Sequence, residues 1–379
     1  MQCIALITTS YPDSTPGSEA AGSFVADFAE ELARIAKVIV VAASRETSVA
    51  GSGNLTVVRF KVPQTPLSLL KPHNPAYWPS IIESMRAGQV AVRESIEAYK
   101  PDHILALWAL PSGWWAQREA RSRGIPYSTW ELGSDIWSLG SIPFVRRVLR
   151  TTLTRATRRY ADGLDLCRDV EKLCGMSCSF LPSSRRLLLL REDAVAARPP
   201  YKLAFLGRWH PNKGADLLMQ ALRLLDDEDW SKIAELQIFG GGPLERAVHS
   251  AVEALIADHR PVTVGGYLNK DDAARLIASA DYLLLPSRIE SIPVIYSDAV
   301  QMGTPIISTP VGDLSRLYSK YETGVMASDV STESFATAIR TGLSDDPSRF
   351  VPSLAAARKI FDLPEVVRSL ATDLDLAPQ

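Results

Sequence analysis

Short apolar runs alternate with helix-length stretches along most of this sequence, and nothing else in it constrains the fold as strongly. In the first half, apolar runs fall at 4–8, 38–41, 57–60, 103–107, 127–130 and 163–166, with helical patterns at 23–35, 80–99 and 113–123. In the second half the runs fall at 202–206, 236–239, 262–264, 282–285 and 305–308, with helical patterns at 214–225, 243–257, 270–279 and 293–301. Such runs separated by helices read as βα units on parallel sheets covered on both faces. A chain of 379 residues has room for two of these sheets. The expected fold class is therefore α/β, with two doubly wound Rossmann-like domains. The stretch "LPSSRRLLLLREDAVAARPP" (181–200) interrupts the alternation with charge, serine and a Pro-Pro end, and is the linker candidate. The expected domains are 1–185 and 186–356, with a C-terminal helix at 357–379 joining the first.

Bulk properties narrow the function. A formal net charge of −2 argues against a general nucleic-acid binder. No run reaches the roughly 18 apolar residues of a membrane span. The opening "MQCIALITTSYP" lacks a basic flank and reads as a first buried strand rather than a signal peptide, so a cytoplasmic chain is expected. Cys3, Cys167, Cys174 and Cys178 form no Cys-x-x-Cys pair, and reduced buried thiols are the expectation. His73, His103, His210, His249 and His259 show no metal or Ser/His/Asp spacing, and no metal site is expected. Asp227 and Asp229 in "LLDDEDW" follow a helix and read as a solvated acidic end.

Four motifs fall at the carboxyl ends of expected strands, where doubly wound sheets bind ligands. In "FLGRWHPNKGADLL" (205–218), Gly207 and Gly214 let the backbone approach a ligand closely. Arg208 and Lys213 bring a planar fork of donors and a compact charge, suited to a diphosphate. In "LLLPSRIESIPVIYSDAVQMGTPIIST" (283–309), Glu290 sits after a strand, Pro293 suits a helix start, and Asp298 lies just over a turn into that helix. Two carboxylates and a helix N-terminus there suit a polyhydroxylated, phosphorylated ligand. The competing reading makes Glu290 a solvated loop acid and Asp298 an exposed helix residue. In "QIFGGGPLERA" (237–247), Gly241 lies in a tight turn before a helix. In "YPDSTPGSEAAGSFVADFAEELA" (11–33), Gly22 follows a long loop, which is either an ordinary connection or a cover for phosphates.

The second half resembles the C-terminal domain of glycosyltransferase family 4, of the GT-B fold, through "LGRWHPNKGADLL", "FGGGP", "VTVGGYLNKDDAARLIASADYLLLPSRIES" and "GTPIISTPVGD". The first half is similar through "AGSFVADFAEELA", "PDHILALWALPSGWWA" and "ELGSDIW". The resemblance implies two domains facing each other across a cleft, a nucleotide-sugar donor, and retaining transfer to an acceptor hydroxyl without a metal or other cofactor. A UDP-sugar is the first expectation and a GDP-sugar the second. Arg208, Lys213 and Glu290 would form the catalytic set. Gly22, Gly207, Gly241, Ser291, Ile292 and Asp298 would line the donor. The sequence departs from the family where Asp298 replaces the usual Glu, where Ser291-Ile292-Pro293 replaces Gly-Phe-Gly, and where Leu107 and Leu132 stand at common histidine positions.

Glu131, Asp135 and Trp108 are the candidates for acceptor or sugar contacts in place of those histidines, with capping and loop solvation as the alternative for the two acids. The acceptor is expected to be a carbohydrate, a lipid-linked molecule or another small molecule, and no nucleic-acid partner is expected. "FVRRVLRTTLTRATRRYADG" (144–163) reads as a basic amphipathic helix, either a solvated face or a peripheral contact with the inner membrane face through 144–160. Three further readings stay open: a non-catalytic nucleotide-sugar binder, a GT-B epimerase and a phosphorylase.

Overall fold

The computed structural model describes all residues except 14–18, 66, 68–69, 188–190, 192 and 377–379; the side chains of 19–21 are also not described. The chain forms two compact units, Met1–Pro182 with Leu363–Gln379, and Ser183–Asp362.

In the first unit five of the six apolar runs become strands, and no residue of those five runs is exposed. The order is β1 (Cys3–Thr8), α1 (Glu19–Leu32), β2 (Lys37–Ser44), β3 (Ser48–Ser52), β4 (Leu55–Lys61), α2 (Trp78–Tyr99), β5 (His103–Leu107), α3 (Trp114–Arg123) and β6 (Tyr127–Glu131). It continues through α4 (Ser134–Trp137), α5 (Pro143–Arg155), β7 (Arg158–Ala161), α6 (Leu164–Cys174) and β8 (Ser179–Phe180). The sheet runs β3-β4-β2-β1-β5-β6-β7-β8. Only β3 is antiparallel, paired with β4 at the edge. The strand order reverses between β1 and β5, so their carboxyl ends open a crevice.

The second unit comprises β9 (Tyr201–Arg208), α7 (Ala215–Leu222), α8 (Asp227–Ser231), β10 (Ile233–Gly241), α9 (Glu245–Ala257), β11 (Val262–Gly265) and α10 (Lys270–Ser279). It continues with β12 (Tyr282–Leu285), α11 (Val294–Met302), β13 (Ile306–Ser308), α12 (Leu314–Tyr321), β14 (Gly324–Met326), α13 (Thr332–Leu343) and α14 (Val351–Ala357). Its all-parallel sheet runs β11-β10-β9-β12-β13-β14, the Rossmann order, with its reversal between β9 and β12. The last helix, α15 (Leu363–Asp373), packs on α1 in the first unit.

Several expectations need correction. Residues 163–166 open helix α6 with Gly163 at its N-cap, and the strand is β7 before them. Two consecutive arginines at the head of β7 hid it from a hydrophobicity reading. The basic stretch is therefore not one helix. It stops at Arg155, and Arg159 is buried, donating to the carbonyls of Leu153 at 3.0 Å and Ala156 at 2.6 Å. The exposed basic face shrinks to Arg146, Arg147, Arg150 and Arg155 with Arg158 beyond the helix. Part of the 181–200 stretch is not a free linker. The Ser184 hydroxyl bonds the Phe361 carbonyl, and Arg191 donates to Ala280 O at 2.6 Å. Residues from 183 onward thus belong to the second unit, and the return to the first begins at 363 rather than 357. Phe361 stays behind because its ring packs edge-on to Tyr296, 6.0 Å between centroids. Among the described residues no helix is long and apolar enough to cross a membrane.

Candidate functional site

In the second unit, β9 delivers Gly207 and Arg208 to the switch point, in register with Gly240 and Gly241 of β10. Arg208 is exposed, and a Cβ on Gly207 would meet nothing, so space lies open beside it. The glycine run does a different job. A Cβ on Gly240 would lie 1.9 Å from Gly207 O, and one on Gly241 2.7 Å from the Tyr267 ring. These glycines let neighbouring loops touch; Tyr267 Oη also donates to Gly241 O at 2.7 Å.

The loop after β9 is sewn to the loop after β12. His210 Nδ1 accepts the Asn212 N–H at 3.2 Å and caps the short turn that carries Lys213. Gly214 follows at φ 70°, and a Cβ there would lie 1.8 Å from Pro286 O. From the other side the Arg288 N–H donates to Asn212 O at 2.7 Å. Its guanidinium grips both oxygens of Asp216 at 2.7 and 2.9 Å. Burial works against ionisation of Asp216, but Arg288 outweighs it and holds that carboxyl below its usual range. The outcome is a direct ion pair between Lys213 and Glu290, both part-buried.

Ser291 and Ile292 follow Glu290 into burial, and the Ser291 hydroxyl has no partner. Gly312, at φ 51°, lets its loop press on the carbonyls of Glu290 and Ser291. Pro293 occupies the N-cap of α11, and no side chain caps that helix. The site thus combines two cations, a carboxylate and an uncapped helix N-terminus at one sheet reversal. The sequence did not single out Arg288 or Gly312. "PSRIE" and "PVGD" contain them, but their roles depend on loops meeting across the fold.

Asp298 is neither an exposed helix residue nor open to a ligand. It is fully buried, and both its oxygens are taken by Arg185, with Nε to Oδ1 at 3.0 Å and Nη2 on Oδ2. A buried carboxylate requires such a partner. Arg185 lies in the stretch read as linker, so the pair anchors that stretch to α11. The geometry favours Asp298 as this anchor over a ribose contact.

In the first unit, Leu107 ends β5 fully buried, and Trp108 turns the chain at φ 67°. The N–H of Ala109 is shared by Glu131 Oε2 at 2.8 Å and Asp135 Oδ2 at 2.7 Å. Both acids are buried, at 0% and 2% exposure, which sets them behind the turn rather than on a sugar-binding surface. Burial, then the charge and hydrogen bond of Asp135, push the Glu131 carboxyl well up. Burial raises the Asp135 carboxyl too, against the hydrogen bonds that lower it. Gly22 packs against Tyr11 and Pro12, where a Cβ would come within 2.9 Å of backbone; the 14–18 part of that loop lies outside the described residues. Asp226 caps α8, so the acidic run is a helix start; Asp227 is solvated as expected, while Asp229 is buried and pairs with Arg340 at 2.8 Å. Among the described residues no three His, Cys, Asp or Glu side chains are grouped to hold a metal.

Two Rossmann-like units in one chain with these sheet orders define the GT-B fold of glycosyltransferases. The whole chain superposes on a sucrose-phosphate synthase from Thermosynechococcus elongatus with a TM-score of 0.78 at 18% identity, covering 99% of this chain and 98% of that one. It superposes on Anabaena HepE, solved with UDP and glucose, with a TM-score of 0.74 at 16% identity over 100% of both chains. Residues 200–345, most of the second unit, match the family described as glycosyl transferases group 1. A D-inositol 3-phosphate glycosyltransferase of Corynebacterium glutamicum is 29% identical over 150 residues, 39% of this chain. The match spans only 36% of that relative's own length.

Proposed function

We propose that the protein is a retaining, metal-independent glycosyltransferase that moves a sugar from a nucleoside diphosphate to an acceptor hydroxyl. The observation that carries this is the Lys213–Glu290 ion pair beside Arg208 and the uncapped start of α11. With no donor bound, Lys213 and Glu290 neutralise each other. An arriving diphosphate competes for Lys213 and Arg208 and releases Glu290 toward the sugar hydroxyls. Cations and helix N–H groups then stabilise charge growing on the departing diphosphate. A leaving phosphate oxygen takes the acceptor proton, which fits a buried leucine at 107 where an imidazole base would be lost without consequence. A UDP-sugar is the favoured donor, supported by the UDP bound to the structural relative HepE, with a GDP-sugar second. The acceptor is a carbohydrate, a lipid-linked molecule or another small molecule.

The test is a melting-temperature screen with UDP, GDP and their sugars, followed by turnover and product anomer analysis with and without EDTA. Arg208→Ala and Lys213→Ala should each cost about a hundredfold or more in rate while leaving the fold intact. Near-normal rates in both would refute the assignment. Tight donor binding with neither transfer nor hydrolysis would mark a non-catalytic binder. An epimer formed without acceptor, or cleavage that needs phosphate, would mark an epimerase or a phosphorylase.

A further inference from the structure

A groove of 1190 Å³ runs along the outside of the first unit, between β4 and α2, with the β3 edge as its lip. Its walls leave large apolar side chains in water: Val49, Trp78, Ile82 and Val90 are 43–64% exposed. Val58, Phe60, Ala87 and Ala91 add to the apolar lining. Scattered exposed hydrophobics are ordinary, but four gathered in one concavity mark a binding surface. The Trp78 indole is fixed there by its N–H bond to Pro72 O at 2.9 Å.

The groove is electrically polarised along its length. Arg59 and Lys61 close β4, and Arg86 lies in the first half of α2; among the described lining residues only Glu83 opposes them at that end. The far half, toward Tyr99, has one charged lining residue, Glu94, and at its very end Lys37 Nζ lies over the Tyr99 ring, 5.9 Å from the centroid. Arg59 is already held by Pro12 O at 2.8 Å and the Tyr11 ring. Lys61 and Arg86 form no ion pair among the described residues. Helix α2 is about 30 Å long at 1.5 Å per residue, and the groove follows it. The cationic end is the carboxyl end of the sheet, where β5 and β6 also deliver Trp108 and Glu131.

We infer that this groove binds one amphiphile, a single-chain lipid phosphate, with its phosphate on Lys61 and Arg86 and its hydrocarbon chain between β4 and α2. A peptide could pair its backbone only along the β3 lip; deeper, between β4 and α2, its N–H and C=O groups would meet apolar side chains at a desolvation cost, whereas a hydrocarbon chain brings none. The phosphate complements the end where cations outnumber acids, and the tail fills the end where they do not. Binding here is independent of the donor reading, because no residue of the second unit takes part.

Calorimetric titration of the full chain with monomeric dodecyl phosphate tests this, alongside dodecyl maltoside, inorganic phosphate and anionic phospholipid vesicles. One dodecyl phosphate should bind per chain, with the maltoside at least about tenfold weaker and inorganic phosphate not measurable. Ile82→Asp, at an exposed position that should not disturb folding, should weaken binding about tenfold or more. Lys61→Ala with Arg86→Ala should remove the preference for phosphate over maltoside. Each variant should keep its melting temperature and its response to UDP. Equal affinity for the two detergents, no effect of Ile82→Asp, binding only to vesicles, or a concentration-dependent dimer that Ile82→Asp abolishes would each overturn the proposal.

Discussion

His103 is a base held without its proton. It lies buried at the head of β5, with Nε2 2.9 Å from the Ser128 hydroxyl, and burial lowers its pKa from 6.5 to about 4. Between those two values the unfolded chain binds a proton that the folded chain refuses. Stability is therefore intact above about pH 6.5, declines as pH falls, and levels off below about pH 4, for a total of about 3 kcal/mol. Unfolding free energies at pH 7 and pH 4.5 should show His103→Gln losing less on acidification than the parent, by about 2 kcal/mol. Parallel losses in the two proteins would show that His103 does not drive the slope. The Arg185–Asp298 pair makes a second prediction at this scale. Arg185→Ala leaves a buried carboxylate without its guanidinium and should cost about 3 kcal/mol or more. Asp298→Asn added to that variant should recover part of the loss, because the charge is then gone. If the double variant were no better than the single, the penalty would lie elsewhere than in the stranded charge.

At the scale of elements, Gly214 and Gly303 have nearly the same backbone, at φ 70° and 72°, yet different surroundings. A side chain at Gly303 meets open space, so Gly303→Ala should cost only the left-handed strain, about 1 kcal/mol. One at Gly214 collides with Pro286 O and forces the β9 and β12 loops apart. Gly214→Ala should therefore cost several times more and weaken nucleotide binding as well, read by melting temperature with and without UDP. Equal costs at the two positions would mean that the loops are not held in contact. The sequence announced much of this. Apolar runs marked the buried strands, and Pro293 and Gly303 bounded α11 to within a residue. It hid what depends on tertiary neighbours. Strand β7 opens with Arg158 and Arg159, and β3 is exposed along its length, so neither shows a buried-strand pattern. Arg185 gave no signal because its partner lies 113 residues away. Glu131 and Asp135 were visible as acids near a strand end, but their burial behind the Trp108 turn follows from the packing of β5 and β6.

At the scale of the whole molecule, the two proposed ligands belong to different units, and that separation can be measured in one experiment. A ligand that binds only folded protein stabilises it by RT ln(1 + [L]/Kd), about 2.7 kcal/mol at a hundredfold excess over Kd. The gain appears first as slower local opening of the segments that touch the ligand, since those segments must release it to open. Amide hydrogen exchange with UDP should therefore slow across 207–214 and 286–296, where the Lys213 turn and the start of α11 lie, and leave β4 and α2 unchanged. Dodecyl phosphate should give the reverse map, slowing β4 and the first turns of α2 while the loops after β9 and β12 exchange as before. UDP protection confined to the first unit would remove the donor site from Lys213 and Glu290 without touching the groove. Protection of the β9 and β12 loops by dodecyl phosphate alone would remove the groove and leave the donor site standing.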